Sequence, residues 1–161
     1  MLKLVGTTLN ELIELQKQLL NYAEQKRTVL IERKVDDLNR LVKEEAKLVK
    51  QLEKLENERV KLVEDVMQNH SSLSFSQFVD QLPDEQAKQN LQFQLKTLQQ
   101  LMKDLQSANR VNETILKDSM SFVHHMIDQV TKSKQQHFNY QSPLDQQKSQ
   151  TSSRGFFDTK A

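Results

Sequence analysis

The sequence predicts an all-α protein: an elongated antiparallel three-helix bundle with coiled-coil-like packing, a short connector helix and a disordered C-terminal tail. Three observations carry this. Only two glycines (Gly6, Gly155) and two prolines (Pro83, Pro143) occur in 161 residues, too few turn-formers for a sheet with hairpins. Leu, Lys, Gln and Glu dominate, the composition of long helices. Apolar residues also recur at alternating spacings of three and four over long stretches.

Helix one is expected from about residue 3 to 33. Its seam is Val5, Leu9, Leu12, Gln16, Leu19, Ala23, Lys26 and Leu30, widened by Ile13 and Leu20. Helix two is expected from about 37 to 68, along Leu38, Leu41, Glu45, Leu48, Leu52, Leu55, Arg59, Leu62 and Val66, flanked by Val42, Val49 and Val63. No Gly or Pro divides the two, and phase decides between one helix and two. Extending the first stripe would bury Arg33 and Asp37, whereas the second restarts at Leu38, about 100° further round. Asp36 reads as an N-cap and Val35 as a hydrophobic staple. A tight helical hairpin near residues 33–37 follows.

NHSSLSFSQFVDQLP (69–83) breaks the pattern. Ser72 or Ser74 can cap a short helix at about 74–82, whose Leu73, Phe75, Phe78, Val79 and Leu82 are too apolar for a solvated loop. Pro83 and Asp84 open helix three, expected from about 84 to 133. Its seam is Leu91, Leu95, Leu98, Met102, Leu105, Asn109, Asn112, Leu116, Ser119, Val123, Met126 and Val130. The bundle thus takes residues 1–133. The Gln- and Ser-rich remainder, 134–161, has no helical stripe and reads as the disordered tail.

Length is informative. At 1.5 Å per residue, helices one and two span roughly 50 Å and helix three roughly 75 Å. The far end of helix three, about 118–133, is therefore expected to overhang the hairpin. It is not polar: Met120, Phe122, Val123, Met126, Ile127 and Val130 occupy more than one face, and such a surface needs a partner. Within the seam, Asn109 and Asn112 stand where Leu is due. Buried amides can specify register at a cost in stability; the competing reading is that they face the helix-one/helix-two turn and bind something.

Chemistry is sparse. A net charge of +1, with acids and bases interleaved, lacks the basic face of a nucleic-acid or membrane-surface protein. No Cys is present, so disulfides are excluded and a reducing compartment is favoured. No apolar run approaches the ~20 residues that cross a bilayer, and the N-terminus has no signal-peptide core; the expected location is cytoplasmic. Adjacent His124 and His125 diverge by about 100° and cannot share one ion. Met120 and His124 are four apart, but helix filling accounts for them. The serines have no paired base, and no phosphate loop is present. No enzyme, metal or cofactor is expected. Arg40–Glu44, Lys54–Glu58 and Lys61–Asp65 have the spacing of weak surface pairs.

A helical hairpin, a Ser/Leu/Phe connector and a long third helix bearing NRVNETIL (Asn109–Leu116), an Asn-x-x-Asn-x-x-(Ile/Leu)-Leu pattern, together resemble the FlgN family of flagellar export chaperones. The tail ending RGFFDTKA is similar to the ends of Bacillus-type members. The resemblance implies a cytoplasmic protein that binds the hook–filament junction proteins FlgK and FlgL, prevents their premature assembly and delivers them to the export gate of flagellar type III secretion. It also implies a substrate-binding region toward the C-terminus, which agrees with the overhang. There an amphipathic segment of the cargo is expected to meet Met120, Phe122, Val123, Met126 and Ile127, with flexible Met side chains adapting to two cargoes. In the tail, Phe156 and Phe157 flanked by Arg154 and Asp158 form a candidate docking motif. The alternatives are a coiled-coil homodimer or adaptor built through the overhang, and a regulatory protein that sequesters a factor there.

Overall fold

The computed structural model describes residues 1–134, in the order α1 (Leu2–Ile31), α2 (Val35–Met67), α3 (Phe75–Asp80) and α4 (Glu85–Lys134), with no strand among them. The bounds differ from the periodicity by a residue or two, the usual fraying of helix ends. The tail with Phe156 and Phe157 lies outside the described residues.

The turn between α1 and α2 is three residues long. Arg33 takes a left-handed conformation, φ 58°. Its N–H donates to the Leu30 carbonyl at 3.3 Å, and the Lys34 N–H to that of Val29 at 3.1 Å. This is the Schellman closure of a helix, which usually places Gly at the left-handed position. Lys34, not Asp36, occupies the N-cap of α2, with no side-chain cap bond. Because the reversal ends two residues earlier than Asp36 suggests, Asp36 and Asp37 fall in the first turn, where their charge complements the helix dipole.

The other starts follow their side chains. Ser74 caps α3 in a capping box: Gln77 N–H donates to Ser74 Oγ at 3.2 Å, and Ser74 N–H to Gln77 Oε1 at 3.0 Å. Asp84 Oδ1 accepts from the Gln86 and Ala87 N–H groups at 3.0 and 3.3 Å, so Asp84 supplies the start of α4.

Within Met1–Ile115, α1 is the central element. Val5, Leu9, Leu12, Ile13, Leu15, Leu19 and Ala23 are all buried, whereas α2 fully buries only Leu41 and Val49. α2 runs antiparallel to α1, with Lys26 Nζ 2.7 Å from Glu45 Oε2 and the Tyr22 hydroxyl donating to Glu44 Oε2 at 3.1 Å. That bond raises the Tyr22 phenol above its ordinary value. α4 runs parallel to α1: Gln94 Nε2 donates to the Gly6 carbonyl at 2.9 Å and to Asn10 Oδ1 at 2.7 Å, and Asn112 Nδ2 to the Ala23 carbonyl at 2.8 Å. The three long helices thus pack up-down-up.

α3 closes the end where α2 passes to α4. Val79 is fully buried with Val5, Leu9 and Leu91, and Leu62, Val66, Phe75, Phe78, Leu95 and Leu98 pack around them. Phe78 stands 4.9 Å from His70 and 6.2 Å from Phe75, centroid to centroid.

Some pairings differ from the sequence expectation. Arg40 lies 4.0 Å from Asp37 and Glu44 is taken by Tyr22; Arg59 pairs with Glu56. Helical spacing alone overlooks partners on the neighbouring helix. Val42, expected beside the buried seam, is exposed, because the apolar stripe of α2 is wider than its neighbours cover.

Met1–Ile115 forms one compact unit, and a second begins at Leu116, within α4. With 30 residues in α1 and 33 in α2 against 50 in α4, the hairpin is too short to accompany the whole of α4.

The turn supplies a test. A non-glycine residue held left-handed costs about 1–2 kcal/mol. Arg33→Gly should therefore leave stability unchanged or raise it by up to about 1 kcal/mol, while Arg33→Val, β-branched at positive φ, should lower it by about 1 kcal/mol or more. Thermal denaturation of the two variants measures the difference; equal melting temperatures would mean the reversal does not depend on this residue.

Candidate functional site

Beyond Ile115, α4 continues unbroken to Lys134. At about 100° per residue, Met120, Val123, Ile127 and Val130 fall within about 40° of Leu116 around the helix. Leu105 and Asn112, buried in the first unit, share that phase. The stripe is one continuous pattern along α4, but its surroundings change. Leu116 is 43% exposed, Met120 38%, Val123 49% and Val130 53%, while Ile127 is half-buried. Met126, 50% exposed, widens the stripe on one flank, and Phe122, 49% exposed, stands further round. Of the six residues expected to meet a partner, four form one face with Leu116 and two extend it to one side.

The face is apolar and adaptable. Its two Met side chains bring rotatable thioethers, and Val123, Ile127 and Val130 bring rigid β-branched surface. Charged groups, including Lys117, Asp118, Asp128 and Lys132, lie along the rest of the helix. Such a strip, a ridge of apolar residues two turns or more long, suits an amphipathic helix laid alongside it.

The two seam amides are not equivalent. Asn112 is buried, and its Nδ2 donates to the Ala23 carbonyl of α1. Asn109 is half-buried. With Nδ2 committed to a carbonyl, the amide orientation of Asn112 is settled, and its Oδ1 is left buried without a hydrogen-bond partner. Beside it a groove of about 330 Å³ runs between α1 and α4, lined by Leu20, Ala23, Arg27, Ala108 and Val111 among others. Ala23 is the residue that periodicity undervalues: its small side chain, 1% exposed, lets α4 approach the α1 backbone closely enough for the amide to reach it. Gln94, bridging Gly6 and Asn10, escaped notice because a Gln beside a Leu seam gives no signal in periodicity.

Among the described residues no group of three or more His, Asp or Glu is arranged to hold a metal ion, and no helix is long and apolar enough to cross a membrane.

Comparison with known proteins gives a match to one family and to one relative. The family model described as FlgN protein matches residues 1–147. An uncharacterised protein of Bacillus subtilis (strain 168), YvyG, is 23% identical over 159 residues, covering 99% of this chain and 98% of its own. No solved structure matches.

The asymmetry of the amides is measurable. Asn112→Ala removes an interhelical hydrogen bond and should cost about 1 kcal/mol. Asn109→Ala should cost less than half of that. Equal losses in chemical denaturation would mean that the Ala23 contact carries no special weight.

Proposed function

The chain belongs to the FlgN family, and from that premise we propose that it is a cytoplasmic flagellar export chaperone for the hook–filament junction proteins FlgK and FlgL. The exposed stripe of α4 is the cargo-binding surface. An amphipathic terminal segment of the cargo lies along Met120, Val123, Ile127 and Val130, with Met126 and Phe122 gripping its flank. Covered in this way, the segment cannot join an assembly prematurely, and the complex passes to the export gate of flagellar type III secretion. Release needs no chemistry; competition for the segment at the gate suffices.

The observation supporting this reading is the stripe itself. Its phase is that of the buried bundle seam, yet beyond Leu116 its residues are about half exposed. Apolar side chains in a helix–helix seam pattern imply a helical counterpart. The same surface could pair with a second copy of the chain, or hold a regulatory factor; the test separates these.

Val123→Asp with Met126→Asp places two charges in the stripe, where burial against cargo would cost several kcal/mol. Helical content and thermal stability of the chain should hardly change, while calorimetric affinity for both junction proteins falls at least a hundredfold. If the native chain is a dimer that the variant makes monomeric, with affinity for the junction proteins unaltered, the stripe serves self-association instead. Unaltered mass and affinity together would move the cargo site elsewhere.

We also propose a second contact through Phe156 and Phe157. A linker of about twenty residues reaches roughly 25 Å if it behaves as a random coil, enough to bring the pair to cargo or gate and raise avidity. Removing residues 150–161 should lower cargo capture or motility without altering the melting temperature. Full activity of the truncated chain would remove the tail from the mechanism.

A further inference from the structure

The groove between α1 and α4, which lies wholly within Met1–Ile115, has a regular lining. α1 contributes Leu20, Ala23, Glu24 and Arg27, residues three, four and seven apart. α4 contributes a stripe of the same spacing from Asp104 to Val111, with Asn112 beside it. Two such stripes on parallel helices make a bed for a further helix. At about 330 Å³ the groove holds far more than one water molecule. Asn112 is 6% exposed; its Nδ2 is held by the Ala23 carbonyl, and its Oδ1 is buried without a partner. Only a donor satisfies that oxygen. The walls beside it are aliphatic, and the charges of the lining are two carboxylates, Glu24 and Asp104, against the single guanidinium of Arg27.

We propose that this groove docks a helical segment of a partner polypeptide that inserts one lysine side chain. The aliphatic stem lies on Leu20, Ala23, Ala108 and Val111, and the ammonium donates to Asn112 Oδ1. Glu24 is adjacent in α1 to the residue whose carbonyl Asn112 holds, so a carboxylate belongs to the same level of the groove. Asp104, about 12 Å back along α4, adds to the field rather than to the contact. Chemistry selects the group. A hydroxyl or an amide satisfies the oxygen but leaves the carboxylates unanswered. A guanidinium is a planar fork suited to two acceptors on one group, whereas the acceptors here sit on separate residues of two helices. That distribution matches the three rotatable donors of an ammonium. A free polyamine carries several positive charges and meets Arg27. The groove uses none of the exposed stripe, so it stands apart from the cargo reading.

The probe is a capped helical peptide, rich in alanine and glutamine, with one central lysine, titrated into the full chain and followed by amide NMR. Saturable shifts should be confined to residues around 20–27 and 104–112. The same peptide with trimethyl-lysine keeps the charge but loses every ammonium N–H, and should bind about tenfold more weakly or worse. Glu24→Gln with Asp104→Asn, both on exposed residues, should weaken binding about threefold or more, whereas Arg27→Gln should strengthen it. Ala108→Leu fills the groove while keeping Asn112 and should abolish binding; a melting temperature close to that of the native chain shows that the fold survives. Equal affinity of the lysine and trimethyl-lysine peptides would reduce the site to surface charge and overturn the bond to Asn112. Tighter binding of spermidine, or of the peptide with arginine in place of lysine, would overturn lysine as the occupant. No saturable shift, or shifts that persist in Ala108→Leu, would leave the groove to water and overturn the site.

Discussion

A helix of 50 residues cannot be covered by partners of 30 and 33, and most of the structure's logic descends from that mismatch. Helix pairs gain their stability from continuous burial of an apolar seam. When one helix outlasts the others, its seam must end, turn polar or stay apolar without cover. In α4 the described residues of the stripe beyond Leu116 stay apolar and partly exposed. The amides at positions 109 and 112 mark the change from Leu-rich to Met- and Val-rich surface, just before the compact unit ends at Ile115.

Placing α1 at the centre is the second decision. A central helix must be apolar on two sides, and α1 buries residues at consecutive positions such as Leu12–Ile13 and Leu15–Gln16. α2 is more charged and accepts partial exposure. The polar interior contacts all involve α1: Tyr22 and Lys26 toward α2, Ala23 and Gly6 toward α4. These contacts add direction to packing that apolar surface alone leaves sliding, since a buried polar group is satisfied in few alignments. The connector helix α3 supplies what polarity elsewhere withholds, a dry plug at one end.

Much of this was legible in the sequence. The seam of α1 was readable because a long stripe averages out local noise, and the greater length of α4 because helix length follows directly from residue count. The cap of α3 was readable because Ser74 and Gln77 carry a local, reciprocal signal. What was misread depends on neighbours in space. Asp36 looked like a cap because the left-handed position before it is held by Arg33, where a glycine would have announced the turn. Arg40 and Glu44 looked like a pair because spacing along one helix says nothing of Tyr22 on another. Asn109 and Asn112 looked alike because their difference is made by Ala23, eighty-nine residues from Asn112 along the chain. In the candidate stretch, periodicity put Val123, Met126 and Val130 on the seam; at 100° per residue Met120 and Ile127 lie closer to the phase of Leu116 than Met126 does, because a spacing of alternating threes and fours fixes the phase only to within a residue.

That continuity constrains how such a chain can change in length. An unbroken α4 carries angular information: each residue inserted or removed between Asn112 and Met120 turns everything downstream by about 100° relative to the seam upstream. A change of one residue would rotate the stripe to the side of the helix, and two would carry it nearly to the back. Seven residues, two turns, nearly restore it, and three or four displace it by roughly 40–60°. Drift by single insertions, harmless in a loop, is here a rotation of the working surface. The interval between the amides and the first exposed methionine is accordingly a part of the molecule whose length is quantised by the pitch of the helix, whatever residues fill it.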